Sequence, residues 1–176
     1  MHTFSSRANA ILTFGVVVLI VAACLSHLTS YHLRKPPTGT GIAVNSKTIY
    51  VVAAQRRGFL PPGDEANFLF DLDIDLTPVW TWNTKVLFVY LTAEYTTESN
   101  VVNQVVFWDR IITKKKDAHL TLKSEQTEYG IQDQGWNLKG RNLNITFSIN
   151  EMPITGLLNL NVPFSETLQL PVVYTR

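Results

Sequence analysis

The sequence predicts an all-β fold, an antiparallel β-sandwich domain preceded by one N-terminal transmembrane helix, and three observations predict it. Residues 8–26 contain no charged side chain, whereas charge is spread through the remainder. A breaker stretch, Pro36-Pro37-Thr38-Gly39-Thr40-Gly41, then stops any helix. Beyond it, short runs rich in Val, Ile, Phe, Tyr and Thr alternate with polar turn clusters, and no comparable helical period follows residue 35. Of 176 residues, about 135 to 140 remain for globular structure, the usual size of one domain with one core.

The first element is the helix. At 1.5 Å rise per residue, about 20 residues cross a hydrocarbon layer of roughly 30 Å. Val16, Val17, Val18, Ile20 and Val21 are mediocre helix formers in water, but a lone segment in lipid satisfies its backbone only as a helix. The expected division is 1–9 as a short flank, 10–30 as the spanning helix, 31–41 as a linker and 42–176 as the β-domain. Three fates of the apolar segment stay open. It is a retained anchor, a cleaved secretory signal ending at Ala22-Ala23, or a bacterial lipoprotein leader whose box Val21-Ala22-Ala23-Cys24 would tether a β-sandwich binding module through Cys24. Length beyond a usual signal core, and a basic flank holding only Arg7 and the terminal amine, speak for retention. Orientation is undecided by charge, because Arg34 and Lys35 balance Arg7 and the amine.

The strands follow in order. Residues 43–54 read as a first strand and 56–64, Arg56-Arg57-Gly58-Phe59-Leu60-Pro61-Pro62-Gly63-Asp64, as the loop after it. Residues 68–76 alternate, with Phe70, Leu72, Ile74 and Leu76 on one face and Asp71, Asp73 and Asp75 on the other, which is a half-buried strand. Residues 85–95 are more continuously apolar and suit a central strand covered on both faces. A further strand spans 103–113 and ends in the turn Lys114-Lys115-Lys116-Asp117. Weaker candidates at 120–129, 143–150 and 160–170 bring the count to about seven, which two antiparallel sheets accommodate. Residues 80–83 suit a tight turn.

Composition excludes several functions. A net charge of +1 gives no electrostatic case for nucleic acid. The single cysteine, Cys24, lies in the apolar segment, so the domain holds neither a disulfide nor a cysteine metal cage. Asp71, Asp73 and Asp75 begin like a calcium loop, but Leu76 and Trp82 stand where that loop needs glycine and glutamate. Of four histidines, only His119 belongs to the domain, beside a charged turn that suits an exposed side chain rather than a general base. Ser99, Ser124, Ser148 and Ser165 lie in no nucleophile elbow. Gly135-Trp136-Asn137-Leu138-Lys139-Gly140 has too few glycines for a phosphate cradle and reads as a structured turn. Lys114 to Lys116 and Arg56-Arg57 read as solvated loops. No catalytic residue, metal site, cofactor or small-molecule substrate is therefore expected. Trp108 suits the core, whereas Trp80 and Trp82 are candidates for partner contact. Asn144-Ile145-Thr146 is the chain's one acceptor triplet for an N-linked glycan, and its use would place the β-domain in a secretory lumen.

These residues carry a resemblance. Ser6-Arg7-Ala8-Asn9-Ala10 before the apolar run, Trp82-Asn83-Thr84-Lys85 before the strand LFVYLTAEY, and Asn103-Gln104-Val105-Val106-Phe107-Trp108-Asp109 resemble the family of signal peptidase complex subunit 3. Gly135 to Gly140, the Asn144 triplet and Met152-Pro153 continue the likeness in order, and 68–112 is its most specific block. The loop at 56–64 and the stretch after Gly156 fit less well. The resemblance implies a single-pass protein of the endoplasmic reticulum membrane with a cytosolic N-terminus and a lumenal β-sandwich. It further implies a non-catalytic subunit whose partners are the catalytic serine-protease subunit and the other signal peptidase subunits, in the removal of signal peptides. It transfers no catalytic residue, and as a site it transfers only Asn144.

Overall fold

The computed structural model describes residues 3–45, 49–54 and 62–175. Helix α1, Phe4–Leu33, is apolar on every side through its middle and has the length and composition to cross a membrane. It starts earlier than the expected 10, because the Thr3 hydroxyl caps it by accepting from the Ser6 N–H at 3.4 Å. It ends later, at Leu33, where Arg34 turns extended ahead of Pro36.

Among the described residues ten strands follow, all paired antiparallel: β1 Thr38–Val44, β2 Tyr50–Ala54, β3 Gly63–Asn67, β4 Leu69–Asp75, β5 Thr84–Tyr95, β6 Asn103–Ile112, β7 His119–Gln126, β8 Ile131–Asp133, β9 Asn142–Pro153 and β10 Asn159–Gln169. They form three sheets, β1-β4-β7, β10-β9-β5-β6 and β2-β3-β8. The all-β expectation is borne out, with an additional small sheet.

Three local expectations need correction. Thr38-Gly39-Thr40-Gly41 is the start of β1 rather than linker, paired with the end of β4. Glycine suits it there: Gly39 has φ +141, and a Cβ would stand 2.4 Å from the Asp73 carbonyl oxygen. The expected single strand at 43–54 is two strands in different sheets, Val44 pairing with Phe70 and Tyr50 with Asn67. Within the expected loop at 56–64, residues 56–61 lie outside the described residues, while Gly63 and Asp64 open β3.

The alternation of residues 68–76 is realised: Phe68, Phe70, Leu72, Ile74 and Leu76 are buried. From the four-stranded sheet, Leu87, Val89, Leu91, Phe107, Ile145 and Phe147 join them in one core. Edge-on aromatic contacts cross it, with Phe70 to Trp108 at 6.1 Å between ring centroids. The expectation that β5 is covered on both faces fails. Only one face packs inward, and outward Phe88 and Tyr90 stack on each other at 5.3 Å and stay half-buried. Stacking on a neighbouring ring shields an aromatic side chain without a second sheet.

Candidate partner surface and anchor junction

The last turns of α1 do not float free of the β-domain. The Asn83 amide nitrogen donates to the Ser30 hydroxyl at 3.2 Å and to the Thr155 carbonyl at 2.8 Å. Its oxygen accepts from the Thr155 N–H at 3.1 Å and the Thr155 hydroxyl at 3.3 Å. One turn earlier on the helix, the Ser26 and Thr155 hydroxyls meet at 2.8 Å. After the helix, the Lys35 N–H donates to the Pro78 carbonyl at 3.2 Å. Asn83 thus uses both ends of its amide to fasten one loop to the helix and to another loop.

Beside it lies a buried ion pair. Glu151 is 1% exposed and meets the Arg34 guanidinium at 2.5 Å through Oε2, while its Oε1 accepts from the Thr84 hydroxyl at 2.7 Å. Along β9 the inward positions are Leu143, Ile145, Phe147, Ile149 and then Glu151, so the carboxylate occupies the next core position of a regular alternation. Such a group is tolerated only when paired and hydrogen-bonded. Arg34 reaches it from the extended segment in which the chain leaves α1. Sequence reasoning missed this site. Its signal was a charge at an apolar-phase position, and its partner lies 117 positions away (151 minus 34).

The sequence-predicted residues are dispersed. Trp108 is buried, as expected. Trp80 is half-buried against the core, whereas Trp82, in the turn before β5, is 58% exposed. The structure does not join them into one surface: Trp80 backs the core and Trp82 faces out. Asn144 lies on the outward face of β9, register-paired with Glu94 on β5 and Thr167 on β10. Its side-chain nitrogen, which would carry a glycan, donates to Glu94 Oε2 at 3.4 Å. It is half-exposed, while the hydroxyl-bearing Thr146 of the triplet is buried. Asn144 stands nine positions along β9 from Pro153, about 30 Å of strand from the helix-contacting end. Two half-exposed aromatics, Phe88 and Tyr90, with exposed Val106 and Ile111, make the same outward face apolar between Asn144 and the junction.

The residues considered for chemistry serve local structure. Asp71 accepts from the Ser124 N–H at 2.7 Å and Asp73 from the Thr121 hydroxyl at 3.2 Å. Asp75 accepts from the Thr77 N–H at 2.8 Å, and Thr77's side-chain and backbone bonds hold the Asp75 carboxyl below its usual range. His119 opens β7, exposed, with Nε2 3.3 Å from Asp73 Oδ1. Asp133 organises the 135–140 turn, its Oδ2 accepting from the N–H groups of Gly135 and Asn137 at 2.9 and 3.0 Å. Its Oδ1 accepts a hydrogen bond from the Tyr95 hydroxyl at 2.9 Å, and burial together with Asp133 pushes that phenol well above its ordinary pKa. Among the described residues, no three of His, Cys, Asp and Glu converge as a metal cage.

Comparison with known proteins bears on this arrangement. The family model described as "Signal peptidase subunit" matches residues 1–173. "Signal peptidase complex subunit 3" of Dictyostelium discoideum is 37% identical over 177 residues, covering 100% of this chain and 98% of the relative. The proteins of the same name in Gallus gallus and Homo sapiens are 36% and 32% identical, each over 99% of this chain and 100% of their own length.

Proposed function

Because this chain belongs to the signal peptidase subunit family, we propose that it is a non-catalytic, structural subunit of an endoplasmic reticulum signal peptidase complex. Its partner is the separate catalytic serine-protease subunit, which removes signal peptides from nascent secretory and membrane proteins. The N-terminus faces the cytosol, α1 crosses the bilayer once and the β-domain lies in the lumen. The observation that carries this reading is the junction. Arg34, Glu151, Asn83 and Thr155 fasten the domain to the end of the anchor, so the domain stands at a set height and angle above the bilayer. A support of that kind positions a neighbouring protease domain relative to the membrane, where its nucleophile must meet the cleavage site. Co-anchoring raises the effective concentration of the two.

We assign Trp82 to partner contact and Trp80 to its support. Trp82 is the exposed ring, and Trp80 holds the loop that presents it. Asn144 is the glycan acceptor, half-exposed on the outward face of β9 at the end away from the helix.

Affinity purification of the full chain from detergent-solubilised membranes tests the assignment. Signal-peptide-cleaving activity is expected to co-purify, while the chain alone cleaves nothing. Cleavage by the isolated chain, or a pull-down without any such activity, rejects it. Endoglycosidase treatment tests orientation: wild type gains mobility and Asn144→Gln does not. Mass spectrometry of the mature N-terminus addresses the lipoprotein alternative through Cys24, since retention of residues 1–23 removes it.

A further inference from the structure

The β9–β10 hairpin tip is the least soluble-looking part of the domain. Its residues Ile154, Leu157 and Leu158 are 64, 74 and 65% exposed, and the exposed aliphatic row continues into β10 with Leu160 and Val162. No charged residue occurs from 152 to 165. An exposed run of this kind implies an apolar neighbour.

The structure also says where that neighbour lies. Thr155 touches Ser26, and Gly156 packs on the His27 ring so closely that a Cβ there would stand 2.5 Å from Nδ1. Gly156 has φ +111, a conformation that L side chains rarely adopt, which lets the tip lie flat against the helix. The uncharged stretch of α1 begins at Ala8. About 20 residues of helix from there span the hydrocarbon and end near His27. In a bilayer spanned from Ala8, these contacts to the helix would hold the tip at the edge of the hydrocarbon. Asn83 meets Ser30, four residues or about 6 Å beyond Ser26 along the helix. The exposed Tyr31, the next residue of the helix, matches the aromatic belt of a membrane interface.

From this geometry we propose that the β9–β10 tip, Ile154, Leu157 and Leu158, is a second membrane contact of this chain. It is immersed in the headgroup and upper acyl region on the side of the β-domain, next to α1. The proposal rests on α1 spanning the bilayer. A lipid surface is the occupant because the helix contacts set the tip's depth whatever protein stands nearby. The immersed residues are aliphatic and uncharged, and a hairpin tip with its backbone polar atoms at the boundary suits an interface rather than the bilayer centre. Two contacts in place of one would hold the domain's tilt as well as its height.

Depth-dependent fluorescence quenching tests it. The full chain carrying Cys24→Ser receives one cysteine at Leu158, Ile154, Val17 or Glu98, each labelled with an environment-sensitive dye. The proteins are reconstituted in phosphatidylcholine vesicles containing lipids with nitroxides at shallow or deep acyl positions. The probes at Leu158 and Ile154 are expected to shift to the blue and to lose most of their emission to shallow nitroxides. The probe at Val17 responds to deep nitroxides, and the probe at Glu98, in the turn after β5, responds to neither. If Val17 is quenched while both tip probes behave like Glu98, the second contact is wrong and the spanning helix stands. Tip probes that shift to the blue without lipid quenching mark a protein-covered tip and also overturn it. Absence of quenching at Val17 sinks the spanning reading, and the tip proposal with it.

Discussion

The junction with α1 and the outer edge of the same sheet each place a glutamate towards the core, with opposite results. At the junction, Glu151 on β9 is almost fully buried and has the Arg34 guanidinium and the Thr84 hydroxyl as partners. On the neighbouring edge strand β10, Glu166 leans inward between Phe164 and Leu168, and its Oε2 is buried without a hydrogen-bond partner. Burial alone raises the Glu166 pKa. The first carboxylate is built into a contact between two parts of the protein, and the second is merely tolerated at a half-open edge. A buried ion pair adds little net stability relative to apolar residues of the same shape, but it specifies which groups must meet. Here it specifies how the anchor meets the domain.

Glu151→Ala carries the largest expected effect at the junction. It leaves the Arg34 charge without its carboxylate and removes one acceptor from the Thr84 hydroxyl, which keeps Thr81, and about 3–5 kcal/mol of stability is expected to be lost. Denaturant titration of the detergent-solubilised full chain measures this. A loss near zero would mean that the junction is solvated rather than buried. Asn83→Ala comes next. Removing the amide strands the Thr155 N–H, at about 1–3 kcal/mol. Faster hydrogen exchange at Thr155, with β4 and β5 core amides unchanged, would show a local loosening of the anchor.

Trp80→Ala and Trp82→Ala sharpen the distinction between supporting and presenting residues. Trp80→Ala should cost about 2 kcal/mol, because a half-buried ring leaves the core. Trp82→Ala should leave the melting temperature within error and weaken recovery of the catalytic subunit. If Trp82→Ala instead unfolds the domain, or leaves recovery intact, its assignment fails.

The smallest effect is expected at Glu166. A folded-state pKa raised by burial means that Glu166's relative contribution is greatest below its unfolded value of about 4.3 and is lost as pH rises through the folded value. Glu166→Gln removes that penalty, so a gain of a few tenths of a kcal/mol is expected at pH 7 and none at pH 3. Thermal shift at the two pH values checks the sign. A loss at pH 7 would show that Glu166 has found a partner.

Much of the architecture was legible along the chain. The uncharged run at 8–26 dictates a helix, and Pro36-Pro37 ends it. Alternation at Phe70, Leu72, Ile74 and Leu76 marks the inward face of β4 and the turn after it, and the block LFVYLTAEY forms the greater part of the central strand β5. The motif Trp82-Asn83-Thr84-Lys85 was legible as a likeness. Its physical work, Asn83 tying α1 to Thr155 and Thr84 bonding Glu151, was not.

Local preferences are thus written along the chain: an apolar helix, its breaker, and the faces of the regular strands. These follow from backbone periodicity and solvent, which act over a few residues. Which strands share a sheet was settled by packing in three dimensions. It divided residues 43–54 between two sheets and recruited polar, short β3 and β8 as strands. It also decided that a glutamate in an apolar phase would meet Arg34, and that the β9–β10 tip would lie beside Ser26 and His27. Those outcomes depend on partners far apart in sequence, and no short-range pattern encodes the identity of a distant partner.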